Sequence, residues 1–185
     1  MRQSRLANLN FMALCCVLGL FTKKLINPLA NMITDSLHIP GGISAGFSIM
    51  FLVVAAEVVR GGIQDGCGWK HSGTLMGAVQ GFLALCLGRI GSMGLLAPLG
   101  YLVPGAAIDL IYGLSDRFGF ARIERMVFAN ALAAVMASVT ANVIVFRLWG
   151  PVLLLYVCVS AASGTLYGLL GSAVAGRLKT IVRNE

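Results

Sequence analysis

The stretch Pro151-Val-Leu-Leu-Leu-Tyr-Val-Cys-Val-Ser-Ala-Ala-Ser-Gly-Thr-Leu-Tyr-Gly-Leu-Leu-Gly-Ser-Ala-Val-Ala-Gly176 decides the fold. Ser160, Gly164, Gly168, Ser172 and Gly176 recur at every fourth position. On a helix this spacing puts all five on one narrow stripe. The other sides carry Leu153, Leu154, Leu155, Tyr156, Leu166, Leu169 and Leu170. An apolar helix with one bare stripe lets a second helix approach backbone to backbone within a bilayer. Gly73, Gly77 and Gly81 form a second ladder, and Ala129, Ala133, Ala137 and Ala141 a third. Any one ladder says only that helices pack, whereas three in one short chain point to a compact membrane bundle.

Composition agrees. Of 185 residues, 58% are hydrophobic and only 11% charged, with a mean hydropathy of +0.87. A soluble domain carries about a quarter charged residues. A membrane span needs about 20 apolar residues, so the chain holds about six spans and no soluble catalytic module. The net charge of +7 reflects Lys and Arg at span ends. Basic and aromatic residues do not interleave as they would on a single-strand surface, so nucleic acid is not an expected partner. Four of the five cysteines (Cys15, Cys16, Cys86 and Cys158) lie in apolar segments, where they act as small hydrophobes. No CxxC pair is present, and Cys67 with His71 is too sparse for zinc. No cofactor or metal is expected. Arg2 and Arg5 precede the first apolar run, but no small-x-small cleavage site follows, so this run reads as a retained span.

The expected spans are 6–25, 43–59, 72–87, 93–114, 126–146 and 152–176. Asn27-Pro28 is expected to bend or end the first, because proline removes a backbone donor. Residues 31–42 read as a polar, turn-rich stretch and 115–125 as the most charged loop. With the N-terminus inside, ten of the fourteen Lys and Arg fall on the inner side and four on the outer. The positive-inside rule then places both termini in the cytoplasm.

Ionisable groups within spans are few. Glu57 stands one turn before Arg60, and Asp109 lies at a similar depth in span four. Glu57–Arg60 is the expected local pair. Asp109 is expected to meet Arg60 or the basic loop. As a functional alternative, this group serves as a docking or relay site towards a cytoplasmic partner. Towards the outer end the polar groups are Asn27, Asn31, Gln80, Tyr101, Thr140, Asn142, Trp149 and Tyr156. Amides and aromatics suit a flat, neutral, heteroaromatic ligand, since rings stack and an amide both donates and accepts. Each could instead satisfy a helix carbonyl, and Trp149 and Tyr156 could be belt aromatics. Neither HExxH, GxSxG, a phosphate-binding loop nor a Ser/His pair is present, so an enzyme is not expected and the chain does not hydrolyse ATP.

Residues 46–60, 94–109 and 162–174 carry a likeness that extends over nearly the whole chain. It resembles the substrate-binding S components of energy-coupling factor (ECF) vitamin transporters, nearest to the YkoE-type component linked to thiamine and hydroxymethylpyrimidine. The resemblance implies a six-helix subunit that captures a vitamin on the outer side. It also implies partners: a membrane coupling protein and two ATPases. The family docks through small residues spaced four apart on the first span. Ala13, Cys15, Cys16 and Gly19 match that region, although Val17 stands where a second alanine would follow Ala13. The substrate pocket is then expected among Asn27, Asn31, Gln80, Tyr101, Asn142, Trp149 and Tyr156. The rival readings are a stand-alone permease or channel, and a structural subunit that only packs against others.

Overall fold

A computed structural model describes residues 2–37, 43–61, 69–88, 94, 96–147 and 150–183. Six helices carry the described residues, which contain no strand. They are α1 (Arg2–Leu37), α2 (Ile43–Gly61), α3 (Ser72–Cys86), α4 (Leu99–Phe118), α5 (Arg122–Ala141) and α6 (Pro151–Arg183), with a π-helical turn, Asn142–Phe146, closing α5. Three segments among them, Leu6–Leu25, Arg122–Ile144 and Pro151–Leu178, are long and apolar enough to cross a membrane.

The order of helices follows the order of expected spans, but several boundaries move. Helix α1 runs through Pro28 to Leu37, so residues 31–37 are helical rather than a turn-rich stretch. Pro28 costs one backbone bond, which a long helix sustained on both sides tolerates. Residues 94 and 96–98 lie in short turns, and α4 begins only at Leu99. Helices α4 and α5 consume most of the expected 115–125 loop, leaving residues 119–121 as the link. Gly119 makes that link possible at φ 69°, where its N–H closes α4 onto the Ser115 carbonyl at 2.8 Å.

Helix α2 is the hub. It touches each of the other five helices. Its residues Leu52 to Glu57 are buried without interruption, and Val59 is completely buried. A helix that is apolar all round belongs in the centre of a bundle. Helix α6, where the sequence pattern is most regular, lies at the periphery against α5 and α2. Its outer Leu154, Leu166 and Leu170 are at least half exposed, as a lipid-facing side requires.

The ladders work by removing side-chain bulk where backbones meet. A Cβ at Gly73 would lie 2.6 Å from the Gly105 carbonyl oxygen, and one at Gly77 would lie 2.5 Å from that of Tyr101. At Gly81 it would lie 2.9 Å from the Pro98 Cα. Helix α3 therefore rests its glycine stripe directly on the α4 backbone. On α6, Gly164 and Gly168 rest in the same way on Ala131 and Val127 of α5, each with 2.7 Å from the notional Cβ to a Cα. Gly171 turns to the other side, against Met50 and Val54 of α2. The alanine ladder is buried most deeply at Ala129 and Ala133.

Candidate functional site

The antiparallel packing of α3 on α4 separates two ends of the bundle. The start of α3 meets Asp109 in the middle of α4, while Gly81 meets Pro98 before its start. The end of α2, the start of α5 and the end of α6 join the first of these ends, which collects charge. The start of α2 and the end of α3 lie at the other, where the side chains near Gly19 of α1 are mostly uncharged.

At the charged end, Arg125 grips Glu57 with Nη2 at 2.9 Å from both carboxylate oxygens and Nε at 3.2 Å from one. The Glu57 side chain is 1% exposed. A buried carboxylate is tolerated only when it is paired and hydrogen-bonded, and a guanidinium fork meets both needs. Arg60 reaches Asp116 at 3.4 Å. Both of these pairs join different helices, whereas the spacing alone points to a local Glu57–Arg60 pair. The Tyr112 ring lies within cation–π range of both guanidinium groups, with 5.1 Å to that of Arg60 and 5.2 Å to that of Arg125. The phenol donates to the Val53 carbonyl at 3.3 Å.

Asp109 meets neither Arg60 nor the basic loop. Its carboxylate accepts from the N–H groups of Gly73 at 2.9 Å and Thr74 at 2.7 Å, and from the Thr74 hydroxyl at 2.6 Å. It caps α3 from a neighbouring helix, where orphan N–H groups and the positive end of the helix dipole favour an anion. His71, at the N-cap position, supplies no side-chain bond.

At the opposite end a polar seam joins α1, α2 and α3. Gln80 is buried and donates through Nε2 to the Cys16 carbonyl at 3.0 Å. Ser48 donates to the Gly19 carbonyl at 2.9 Å. A Cβ at Gly19 would lie 2.8 Å from Gln80 Nε2, so an added methyl would push that amide aside. Lys23 holds its ammonium 4.6 Å from the centre of the Tyr101 ring, and Tyr101 is half-buried.

Of the expected pocket residues, Gln80 and Tyr101 therefore belong to one region, with Lys23 as an addition. Asn142 sits elsewhere, at the start of the π turn, and its Nδ2 donates to the Ser138 carbonyl at 2.9 Å and hydroxyl at 3.2 Å of its own helix. Tyr156 is half-buried on α6. No hydrogen bond among the described residues links these two to Gln80 and Tyr101. The Asn27 and Asn31 side chains and all of Trp149 lie outside the described residues. The Thr140 hydroxyl is bonded to the Met136 carbonyl at 2.7 Å, a bond internal to α5.

Of the four expected docking residues, Cys15, Cys16 and Gly19 are buried inside the fold, and Ala13 is exposed. The Cys15–Gly19 pair packs α1 onto its own neighbours, because the same small residues that suit a partner helix suit α2 and α3. The outer side of α1 presents Leu14, Val17 and Phe21 instead, each more than half exposed.

Asn130 escaped the sequence reading. It is completely buried on α5, and its Nδ2 donates to Gly164 of α6 at 2.7 Å and to Gly46 of α2 at 3.3 Å, fastening three helices. An amide amid an otherwise apolar run was the available signal. No protein-family model, curated protein or solved structure matches the chain.

Proposed function

We propose that the chain is the substrate-binding membrane subunit of an ECF-type importer, a six-span bundle in the cytoplasmic membrane of a bacterium with both termini inside. It captures a small vitamin or vitamin precursor, such as a thiamine-pathway pyrimidine, from the outer face. A membrane coupling protein and two separate ATPases then drive delivery. The observation that carries this reading is the division of polar groups between the ends. Carboxylates and guanidinium groups close on one another at the end with most cations, which the positive-inside rule assigns to the cytoplasm. The other end offers amide, hydroxyl, phenol and ammonium groups from Gln80, Ser48, Tyr101 and Lys23. That end suits capture of a small polar ring, with Asn27, Asn31, Trp149 and Tyr156 as further candidates.

A stand-alone permease is less well supported. Proton or ion coupling calls for an ionisable group free to change partners near the midplane. Glu57 is instead held by a bidentate arginine at one end.

The test has two parts. Purified protein titrated with thiamine and with hydroxymethylpyrimidine by calorimetry is expected to bind one of them without ATP. In vesicles holding this protein alone, with ion gradients collapsed, neither compound is expected to accumulate. Accumulation under those conditions would refute the reading, as would the absence of binding to a panel of vitamin precursors.

A further inference from the structure

Lys23 and Tyr101 meet where three helices come together. Helix α3 packs against both α1 and α4, whereas α1 and α4 share little direct packing. Gly19 of α1 lies against the Gln80 amide of α3, and Lys23 stands one turn further along α1. Gly77, three residues before Gln80, lies against the Tyr101 carbonyl of α4. The bare glycines thus bring α1 and α4 onto the same part of α3. The Lys23 ammonium reaches 4.6 Å from the centre of the Tyr101 ring. Both side chains are half-buried, so part of each stays accessible.

A lysine near the end of a span ordinarily extends to water. Lys24 does so and is exposed, but Lys23 is drawn in against the ring. A ring face engages an ammonium from one side and leaves most of its three donors unused. Lys23 forms no ion pair among the described residues. The carboxylates whose side chains are described are Glu57, Asp109, Asp116 and Glu124. All four lie towards the other end, and each is engaged there. The protein thus holds a partly desolvated cation in place without supplying its counter-charge.

We propose that Lys23 is the charge selector of the capture site, and that the ligand is a small flat ring carrying an acid group, a carboxylate or a phosphate ester, which pairs with the Lys23 ammonium. Tyr101 is a positioning residue that holds the ammonium at this place. The inference rests on the capture reading above and narrows it to a substrate class. It also sets an order of affinities. An acid group gains a charge-assisted bond that a neutral ring lacks. A cationic ring such as that of thiamine meets a like charge and competes with Lys23 for the Tyr101 face.

The experiment is calorimetry on the purified full-length chain in a neutral detergent, with ligands that share a ring and differ in charge. One pair is hydroxymethylpyrimidine and its phosphate ester. The other is pyrimidine-5-carboxamide and pyrimidine-5-carboxylate, and thiamine is the cation. The acid of at least one pair is expected to bind about tenfold or more tighter than its neutral partner, with thiamine weaker than both. The pair that shows the preference identifies the acid group as phosphate ester or carboxylate. Neutral members that bind as tightly as the acids in both pairs, or thiamine binding tightest, would overturn the selector and leave the capture reading standing. Binding of none of the five removes the capture reading and this inference with it.

Substitutions assign the preference to the two residues. Lys23→Gln is expected to erase it while the neutral ligand's affinity and the melting temperature stay near wild type. Lys23→Arg keeps the charge and is expected to keep the preference. A preference that survives Lys23→Gln overturns the assignment. Tyr101→Phe retains the ring face and is expected to behave as wild type, whereas Tyr101→Leu releases the ammonium and is expected to shrink the preference severalfold. A merely structural Tyr101 would lower the melting temperature and leave the ratio of acid to neutral affinity unchanged, which overturns its positioning role.

Discussion

Replacing Gly77 with alanine measures how tightly α3 is seated. The added methyl would lie 2.5 Å from the Tyr101 carbonyl oxygen and 3.2 Å from its carbon. Ordinary contact begins at 3.4 Å, so the helices must part by several tenths of an ångström. The obstacle is backbone, which no rotamer change can move aside. Gly73 meets Gly105 at 2.6 Å and Gly81 meets Pro98 at 2.9 Å, so displacement at Gly77 loosens the contacts on either side of it. Overpacking of this kind costs about 1–3 kcal/mol. Gly113→Ala on α4 is the matched control. A Cβ there meets nothing within 4 Å, and replacing a helical glycine with alanine gains about 0.4–1 kcal/mol. The two substitutions are chemically identical and are expected to have opposite signs. Reversible unfolding by denaturing detergent, followed by circular dichroism, gives both values. If Gly77→Ala is as stable as wild type or Gly113→Ala, the proposed seating of α3 on α4 is wrong.

Other perturbations address the remaining contacts. Glu57→Gln leaves Arg125 without its buried counter-charge and is expected to cost about 3–5 kcal/mol by the same unfolding measurement, and a loss below 1 kcal/mol would argue against a buried pair. Asp109→Asn keeps the shape of the α3 cap but removes its charge, with an expected cost of about 1–2 kcal/mol. Gly168→Leu drives a side chain into the Val127 backbone of α5 and is expected to abolish folded yield, whereas Leu166→Ala, on a side chain 64% exposed, is expected to leave it largely intact. Equal yields would remove the α6 stripe as an interface. Asn142→Leu loses bonds to Ser138 within its own helix and is expected to cost about 1 kcal/mol of stability without changing ligand affinity. A fall in affinity at unchanged melting temperature would restore Asn142 to the binding site.

The sequence by itself determined that the chain is helical, that it is rich in long apolar segments, and which faces of α3 and α6 are bare. These are local properties. Hydropathy is read over about 20 neighbours, and a four-residue spacing describes one helix surface whatever lies opposite. The arginine that grips Glu57 with two prongs is not local. Spacing offered Arg60 three residues away, but the bundle supplies Arg125 from 68 residues along the chain, already aligned for two-pronged contact. Likewise, nothing near Asp109 in the sequence indicates that it caps the helix whose Gly73 lies 36 residues earlier, because the packing of α3 on α4 creates that meeting.

The candidate site divides in the same way. Gln80 and Tyr101 were legible as polar groups in apolar runs, but their neighbours Ser48, Gly19 and Lys23 come from two other helices. A lone amide's spacing cannot tell whether it bonds its own helix, as Asn142 does, or ties three helices together, as Asn130 does. The small residues Cys15, Cys16 and Gly19 mark a close approach on α1 without naming the helix that makes it. Tertiary structure gives that approach to α2 and α3, because they lie next to α1 in the same chain and share its polar seam. The centre of the molecule was decided at this level too. The regular stripe of α6 marks one-sided packing, which belongs at the edge. The patternless apolar run of α2 can be covered on all sides only in the middle.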